Sequence, residues 1–480
     1  MSLVLAIDAG TTGVRAVVFE GTTARGAAYQ ELLTSFPQPG RAEQDGEGVW
    51  NATRAVVAQA LAAAGAKAGE LAAVGIANQR SSVIAWDRDT LAPLAPMILW
   101  HDVRAVERAD ELVENGFFVT ASMAVTKAEW LLRNVDDVAV AAAAGRLRLG
   151  GMESWLAARL SGGAHVCDHA NGSATGFYEH FERTWDGALL AALSIDEVCM
   201  PQLVDSCGVV AETSAESIGA RVPIAAMCAD QQASLYGLGC HAAGQTKCSY
   251  GTSAMVDAST GETLMLGGTG TYPLIAWSVD GVPSYCVEGS VLSAGAAVQW
   301  LRDGAGMVAD AAESGVLAAS VADSGGVWAV PAFQGLGTPR MEAGARALIG
   351  GLSRGSTRAH IVRAILEGIA HRVADAAAAV WEAVEPPPTL RADGGASRND
   401  FLMQTQADVL GVPVERSAVS DGAALGAAAL AARAVGAWDD GDVAHWRGDV
   451  TFEPRLTTDA RERARSLWQD RVRLAGEGLA

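Results

Sequence analysis

The N-terminal stretch of the chain contains two mainly apolar runs separated by a short polar segment, a pattern that predicts two paired strands. Residues 3–7 are apolar and lead to Asp8, and residues 14–19 form a second run rich in β-branched side chains. Between the two runs lies the short segment Gly-Thr-Thr-Gly at positions 10–13. Two strand-like runs joined by a turn of small residues predict a β-hairpin.

The turn of this hairpin has the composition of a phosphate site. Its backbone N–H groups and the hydroxyls of Thr11 and Thr12 can meet an anion, and the small side chains let a phosphate approach closely. Asp8 beside the turn can hold Mg²⁺ directly or through water. The stretch therefore suggests a nucleotide γ-phosphate site. An ordinary hairpin, in which Asp8 and Gly10 only serve the turn, is also compatible with these residues.

Strand and helix patterns alternate along the rest of the chain. Strands are expected at 27–36, 71–77, 82–86, 98–102, 222–229 and 390–393. Helices are expected at 47–63, 127–134, 152–160, 233–238, 399–410 and 422–435, with Asp45 as the cap of the first. Polar residues follow several strands, and this is where α/β folds place ligands.

A weak internal repeat divides the chain. Residues 247–259 again place Gly-Thr-Ser between two strand-like runs and so echo the N-terminal hairpin. We therefore expect two domains of one ancestral design, at 1–240 and 241–480. The length agrees, because 480 residues exceed the roughly 100–200 residues of a typical domain.

Composition narrows the class of partner. The chain is 50% hydrophobic, so it can bury large cores. Its formal net charge of −20 argues against binding to nucleic acid or to an anionic membrane surface. No secretory signal is recognised, because the N-terminal apolar run is short and ends in Asp8. The seven cysteines form no Cys-x-x-Cys pair and are expected to be reduced, buried thiols in a cytoplasmic protein.

Two carboxylates are candidates for chemistry. Asp8 and Asp230 each end a predicted strand beside small or amide residues, so one could hold a metal ion and the other act as general base. Each could instead merely cap the element that follows. The glycines at 394–395 stand between a strand and a helix, where they could bind phosphate or form only a tight turn. Trp100 could line a ligand cleft or lie in the core.

Several stretches together resemble the FGGY carbohydrate kinases, and the glycerol kinases within that family most closely. The segment at 347–367, ALIGGLSRGSTRAHIVRAILE, fits the C-terminal signature of the family throughout, and the segment around Lys127 fits the other signature in part. Further matching stretches are DAGTTGVRAVVFE, GIANQR, ILWHDVRA, TKAEWLLRN, ADQQASLYG, YGTSAM, EGSVLSAGAAVQWLRDG, VPAFQGLG, ADGGASRNDFLMQTQADVLGVPVER and ALGAAAL.

The resemblance implies two actin-like (ribonuclease-H-like) α/β domains hinged around a deep central cleft. ATP is expected mainly against the C-terminal domain and the acceptor mainly against the N-terminal one. By motif, Asp230 matches the catalytic base and Asp8 lies near Mg²⁺. The acceptor residues implied are Arg80, Ser81, Trp100, Ser122, Asp230 and Gln231. The nucleotide and phosphate residues implied are Thr11, Thr12, Arg15, Thr252, Gly295, Gln299, Gly395 and Asn399.

Two positions depart from the glycerol kinase pattern. Ser81 stands where glycerol kinases have Glu, which grips a substrate hydroxyl, and Ser122 stands where they have Tyr. A site that has lost a hydroxyl-gripping partner discriminates differently. The pocket is therefore expected to be wider, and the acceptor to be glycerol or a longer polyol or ketose.

The resemblance thus implies ATP-dependent phosphorylation of a primary hydroxyl of a polyol or sugar, with ATP and Mg²⁺ as cofactors. We expect a homo-oligomer, a dimer, with no nucleic-acid or membrane partner. Two alternatives from other classes are an actin- or chaperone-like ATPase without an acceptor and a non-catalytic sugar-binding regulator. The kinase-specific signature and the Asp230–Gln231 pair argue against the first, and the intact Asp8, Thr12 and Asp230 argue against the second.

Overall fold

The computed structural model describes residues 2–419, 421–438 and 448–476, and it divides into two compact units. Unit 1 consists of the described residues of Met1–Gly237, Ile275–Pro283 and Ala423–His445. Unit 2 consists of those of Leu238–Leu274, Ser284–Gly422 and Trp446–Ala480.

Strands are present in both units, and some of those in unit 1 are only two residues long. The strands are β1 (Leu3–Ala9), β2 (Gly13–Glu20), β3 (Thr23–Glu31), β4 (Glu43–Gln44), β5 (Leu71–Asn78), β6 (Ile84–Asp87), β7 (Met97–Ile98), β8 (Leu147–Gly150), β9 (Val166–Asp168), β10 (Tyr178–Glu179), β11 (Thr184–Trp185), β12 (Gln202–Val204), β13 (Cys207–Glu212), β14 (Pro223–Ala229), β15 (Thr246–Tyr250), β16 (Ala254–Gly261), β17 (Tyr272–Val279), β18 (Val282–Val291), β19 (Trp328–Val330), β20 (Leu348–Gly350), β21 (Leu390–Asp393), β22 (Val414–Ser417) and β23 (Gly448–Phe452).

Helices connect these strands. The α-helices are α1 (Gly46–Ala64), α2 (Val106–Glu114), α3 (Ala124–Asn134), α4 (Asp136–Ala143), α5 (Met152–Ser161), α6 (His169–Ser173), α7 (Gly187–Leu193), α8 (Ala215–Ile218), α9 (Asp230–Gly237), α10 (Gly295–Gln299), α11 (Ala311–Ala319), α12 (Arg358–Val380), α13 (Asp400–Leu410), α14 (Gly422–Ala434) and α15 (Thr458–Gly476). Short 3₁₀ turns cover Ala68–Glu70, Glu197–Cys199 and Gly395–Arg398, and Trp300–Gly304 is a π-helical turn.

Unit 1 is built on a sheet with the strand order β3-β2-β1-β5-β14-β13. The hairpin β1–β2 is antiparallel and continues into β3, whereas β5 runs parallel to both β1 and β14. Most apolar residues of β1 and β5 are fully buried, since helices cover a parallel sheet on both faces. The carboxyl ends of β1, β5 and β14 therefore meet at one edge of the sheet.

Unit 2 repeats this arrangement. Its sheet has the order β18-β16-β15-β21-β22-β23, in which β15–β16 is the antiparallel hairpin and β21 is parallel to β15 and β22. In both units an antiparallel strand pairs with the last parallel strand of this order, β13 with β14 in unit 1 and β23 with β22 in unit 2. The repeat that the two Gly-Thr hairpins predict is thus present in strand order and direction.

Several elements form where the sequence pattern predicts them. Helix α1 begins after Asp45, whose carboxylate accepts hydrogen bonds from the N–H groups of Glu47 and Gly48, and it ends at Gly65 with a left-handed φ of 65°. Strand β21 has the predicted bounds. The seven cysteines are buried, as expected, and none of them is in a disulfide bond.

Two predicted strands are wrong in extent. The strand expected at 27–36 is β3, which begins at Thr23 and ends at Glu31 because its register is set by pairing with β2 after a tight turn at Gly21. The strand expected at 98–102 is only the two-residue β7. The chain turns after it because the buried carboxylate of Asp102 accepts the Ala42 N–H at 2.7 Å and binds Arg104.

Close helix packing in unit 1 depends on two glycines. A Cβ at Gly426 of α14 would overlap the carbonyl oxygen of Ala233 in α9, and a Cβ at Gly75 of β5 would overlap that of Ala427 in α14. Helix α14 therefore lies directly against both α9 and β5. Helix α9 follows β14 and begins at Asp230, so this packing anchors the edge of the sheet that carries the candidate site.

Candidate active site

The sheet edge of unit 1 brings together the side chains predicted from three separate strands. Asp8 of β1 pairs with Ala77 of β5, and Ala77 pairs in turn with Cys228 of β14. Asp230 follows β14 directly as the first residue of α9, and Arg80 follows β5 by two residues. The parallel register therefore collects Asp8, Arg80 and Asp230 at one edge.

Arg80 and Asp230 form a half-buried ion pair at this edge. Arg80 Nε lies 3.8 Å from Asp230 Oδ1, with side-chain exposures of 13% and 26%. The same Oδ1 accepts the backbone N–H of Gln231 at 2.8 Å. The carboxylate is held in place yet reachable by a ligand, as a general base must be.

The β1–β2 hairpin presents its turn beside these residues. The Gly10 N–H donates to the Gly13 carbonyl at 3.0 Å, and Thr12 is exposed at the tip. Arg15 lies opposite Asp8 in the hairpin register, and its guanidinium stacks 5.4 Å from the ring centre of Tyr29. The turn thus presents the exposed Thr12, with the Arg15 cation in the adjoining strand, and both are features of a phosphate site.

Trp100 joins the acceptor residues to the hairpin. Its indole Nε1 donates to Thr11 Oγ1 at 3.0 Å, and its backbone N–H donates to Ser82 Oγ at 3.1 Å. Trp100 is half-buried, which fits a position at the wall of the site. The structure favours the cleft-wall alternative over a core position.

The two serines that depart from the glycerol kinase pattern are placed differently from each other. Ser81 has a left-handed φ of 60°, and its hydroxyl donates to the Ala174 carbonyl at 2.6 Å. Ser122 is exposed, and its hydroxyl lies 2.9 Å from that of Thr120. Ser81 is smaller than the Glu, and Ser122 smaller than the Tyr, that the resemblance to glycerol kinases leads one to expect at these positions.

The predicted nucleotide residues of unit 2 lie at the corresponding sheet edge. The N–H groups of Ala294 and Ala296 donate to the Thr252 carbonyl, each at 3.0 Å, and the Gly295 N–H donates to the Gly251 carbonyl at 2.9 Å. A Cβ at Gly295 would come within 2.5 Å of that same carbonyl oxygen, so only glycine allows α10 to begin so close to the hairpin.

Gly395 and Asn399 follow β21, which is paired with β15 of the same hairpin. Gly395 opens a 3₁₀ turn rather than a helix, and no atom lies within 4 Å of where its Cβ would be. Asn399 caps α13, because its Oδ1 accepts the Leu402 N–H at 3.1 Å. Gln299 is exposed at the end of α10, next to the π-helical turn. Turns of this kind are frequent at functional sites.

Asp8 suits a magnesium ion that arrives with a nucleotide. Among residues 2–419, 421–438 and 448–476, no group of three or more His, Cys, Asp or Glu is arranged to hold a metal ion. Nucleotide-bound Mg²⁺ does not need such a cage, because it takes one or two carboxylates and otherwise phosphate and water. Asp8 is half-buried beside the phosphate hairpin and fits that requirement.

Comparison with family models decides the assignment. The model of the FGGY family of carbohydrate kinases, N-terminal domain, matches residues 3–237, and that of the C-terminal domain matches residues 246–435. The chain belongs to the FGGY family of carbohydrate kinases. The resemblance seen in its motifs is confirmed, and the protein is an ATP-dependent carbohydrate or polyol kinase.

Relatives of this FGGY kinase match it over nearly its full length. It is 42% identical to the glycerol kinase of Dechloromonas aromatica over 98% of this chain and 96% of that one. It is 43% identical to the glycerol kinase of Aromatoleum aromaticum over 99% of each chain.

Solved structures confirm the expected pair of actin-like α/β domains. The Plasmodium falciparum glycerol kinase with ADP matches with a TM-score of 0.90 and 26% identity, covering 99% of this chain and 98% of that one. The xylulose kinase of Rhodospirillum rubrum matches with a TM-score of 0.83 and 26% identity over 98% of each chain.

Three polar residues that sequence reasoning did not assign to the FGGY kinase site also hold it together. Gln79 Oε1 accepts hydrogen bonds from the hydroxyls of Thr11 and Ser82, each at 3.1 Å. Gln44 Nε2 donates to the Thr11 carbonyl at 2.7 Å. Lys127 is the third and is treated below. Gln79 stands in the polar run after β5, which was a usable signal, whereas nothing local marks Gln44.

Proposed function

We propose that this kinase transfers the γ-phosphate of ATP to a primary hydroxyl of glycerol or of a somewhat larger polyol or ketose. The observation that carries the proposal is the Arg80–Asp230 pair, whose atoms lie 3.8 Å apart at the strand edge beside the Gly10–Gly13 turn. The names of the glycerol kinase relatives support the acceptor class.

Asp230 acts as the general base in this proposal. It accepts the proton of the acceptor hydroxyl as the oxygen attacks the γ-phosphorus in line, and ADP leaves. Little basicity is needed where the transition state is loose and proton transfer is late. Arg80, Gln231 and Trp100 hold the acceptor, since bound orientation lowers the entropic part of the barrier.

The two hairpins divide the phosphate and nucleotide contacts. In unit 1, Thr11, Thr12 and Arg15 stabilise the charge that develops on the transferred group. In unit 2, Thr252, Gly295, Gln299, Gly395 and Asn399 contact the nucleotide. Asp8 holds Mg²⁺, which when bound neutralises part of the negative charge of the phosphates.

The test of this function is ADP release in a coupled assay with glycerol, erythritol, xylitol, ribulose and xylulose. We expect ADP release to require one of these acceptors. ATP turnover that is independent of every acceptor would instead support the actin- or chaperone-like ATPase. ATP or acceptor binding without any turnover would support the non-catalytic regulator.

Two further expectations concern the context in which the kinase works. Seven buried thiols, none of them in a disulfide bond, support a reducing, cytoplasmic location. No helix in the described part of the chain combines the length and apolar composition needed to cross a bilayer. We propose a homodimer, which light scattering coupled to size-exclusion chromatography would test by mass.

A further inference from the structure

Lys127 is a fully buried cation that the mechanism above does not use. It lies on the first turns of α3, and its side chain has no solvent exposure. Its ammonium donates to the carbonyl oxygens of Ser122 at 2.8 Å, Trp100 at 3.1 Å and Leu99 at 3.2 Å. Three donors thus meet three backbone acceptors, which satisfies the whole group.

The three carbonyls belong to two segments that carry proposed acceptor residues. Leu99 and Trp100 lie in the turn after β7, and Ser122 lies in the loop just before α3. Trp100 also donates through its indole to Thr11 of the phosphate hairpin. A single buried group therefore connects the Trp100 turn, the Ser122 loop and, through the indole, the phosphate hairpin.

We propose that Lys127 is a positioning residue for acceptor binding. Its three carbonyl contacts fix the positions of Trp100 and Ser122 relative to each other. This inference rests on the proposed function, because Trp100 and Ser122 matter only if they contact the acceptor. Lys127 itself lies behind the backbone of these residues and is not a catalytic group.

The contact is expected to depend on pH. An ammonium has three N–H donors, whereas the neutral amine has two and turns a lone pair toward the third carbonyl. Burial lowers the pKa of Lys127 to about 7, with the Asp102 carboxylate acting to raise it and Arg104 to lower it further. Raising the pH through this value therefore removes one of the three contacts and loosens the Trp100 and Ser122 segments.

The other charges near Lys127 are accounted for. Partial desolvation of the ring and the Lys127 charge lower the pKa of His101 from its usual 6.5. On α3, Glu129 is paired with Arg108 of α2 and with Arg133. On β6, Asp87 is paired with Arg146. Asp136 and Asp137 of α4 are exposed to solvent.

Variants at Lys127 test the positioning role through binding. Glycerol and xylitol affinity is measured by calorimetry without ATP, alongside KM and kcat. We expect Lys127→Met to weaken acceptor binding and raise acceptor KM about 10- to 100-fold, with a smaller change in kcat, because displaced contact residues cost this much. The matched control is Arg133→Met, which removes an exposed cation from the same helix and should change acceptor affinity less than about twofold.

The pH dependence gives a second readout that needs no variant. Acceptor affinity of the wild-type enzyme should fall between pH 6 and pH 9, and the affinity of Lys127→Met should be flat over this range. Lys127→Arg, whose guanidinium stays charged, should remove the alkaline loss. A folded Lys127→Met variant with wild-type acceptor affinity would overturn the proposal. Failure of the proposed function would be seen in a different measurement, as the absence of ADP release with every acceptor.

Discussion

Arg80 Nε lies 3.8 Å from Asp230 Oδ1, although 150 positions separate the two residues in the chain. The pair forms because β5 is parallel to β14 and both strands end at the same edge. Asp230 is also the first residue of α9, so its carboxylate is held both by the guanidinium and by the following backbone N–H. An acceptor hydroxyl at this edge would meet a fixed carboxylate.

The base assignment predicts the effect of Asp230→Asn. The amide can still accept the Gln231 N–H, so the fold and ATP affinity should be kept. Turnover should fall by roughly 10²- to 10⁴-fold, the usual contribution of a positioned general base. Coupled kcat measurements and calorimetric ATP binding check this. Asp110→Asn, on the exposed face of α2, is the control, and near-wild-type turnover of Asp230→Asn would remove the carboxylate from the mechanism.

The acceptor pocket predicts a preference beyond three carbons. With Ser81 and Ser122 in place of Glu and Tyr, glycerol would leave water in the pocket, and a four- to six-carbon acceptor could displace it and bind the serines directly. We expect a higher kcat/KM for one of erythritol, xylitol, ribulose or xylulose than for glycerol.

Substitution of Ser81 tests that preference from the other side. Ser81→Glu should raise kcat/KM for glycerol relative to kcat/KM for the longer acceptors. Ser81→Ala is the matched control, because it also loses the bond to the Ala174 carbonyl but adds no carboxylate. A clear preference for glycerol in the wild type, with no gain in Ser81→Glu, would show that the pocket is not enlarged.

The buried Lys247–Asp257 pair predicts a large stability effect beside the unit 2 hairpin. Their charged atoms lie 2.8 Å apart with both side chains fully buried. Lys247→Met should lower the free energy of unfolding by about 3–5 kcal/mol, because it leaves a buried carboxylate without its cation. The double variant Lys247→Met/Asp257→Leu should recover part of that loss. Equal losses in the single and double variants, measured by chemical denaturation, would contradict this account.

The same pair predicts the direction of a pH effect on stability. Burial acts to lower the pKa of Lys247, but the carboxylates of Asp257 and Asp393 raise it, and the net shift is upward from 10.5. A base whose folded pKa is raised contributes stability below its unfolded pKa and loses it as the pH rises through the folded value. The difference in unfolding free energy between wild type and Lys247→Met should therefore shrink only above about pH 10.5.

Helix packing in unit 1 predicts the cost of one methyl group. Gly426→Ala would force the new Cβ against the Ala233 carbonyl, so α14 must move away from α9. We expect a loss of about 1–3 kcal/mol in unfolding free energy, typical of an overpacked core. Gly187→Ala in α7 is the control, because no atom lies within 4 Å of that Cβ position. An unchanged melting temperature in Gly426→Ala would show that the contact relaxes freely.

Local pattern was enough for much of the fold. The β1–β2 hairpin, the Asp45 cap of α1, strand β21 and the placement of Asp230 after β14 all follow from residues close together in the chain. Hairpin turns and helix caps are short-range interactions, so a sequence shows them directly. The family motifs are equally local, which is why the kinase family could be recognised from them.

The tertiary structure decided what depends on distant partners. The Trp100 segment is a turn because Asp102 binds the Ala42 N–H, and the Ser81 hydroxyl is taken by Ala174, 93 residues away. The carbonyls around Lys127 come from segments that a linear pattern cannot place together. Strand register and buried polar contacts depend on which elements pack against each other. The sequence therefore determined most of the elements and the family, whereas packing determined how Arg80, Trp100 and Lys127 meet their partners.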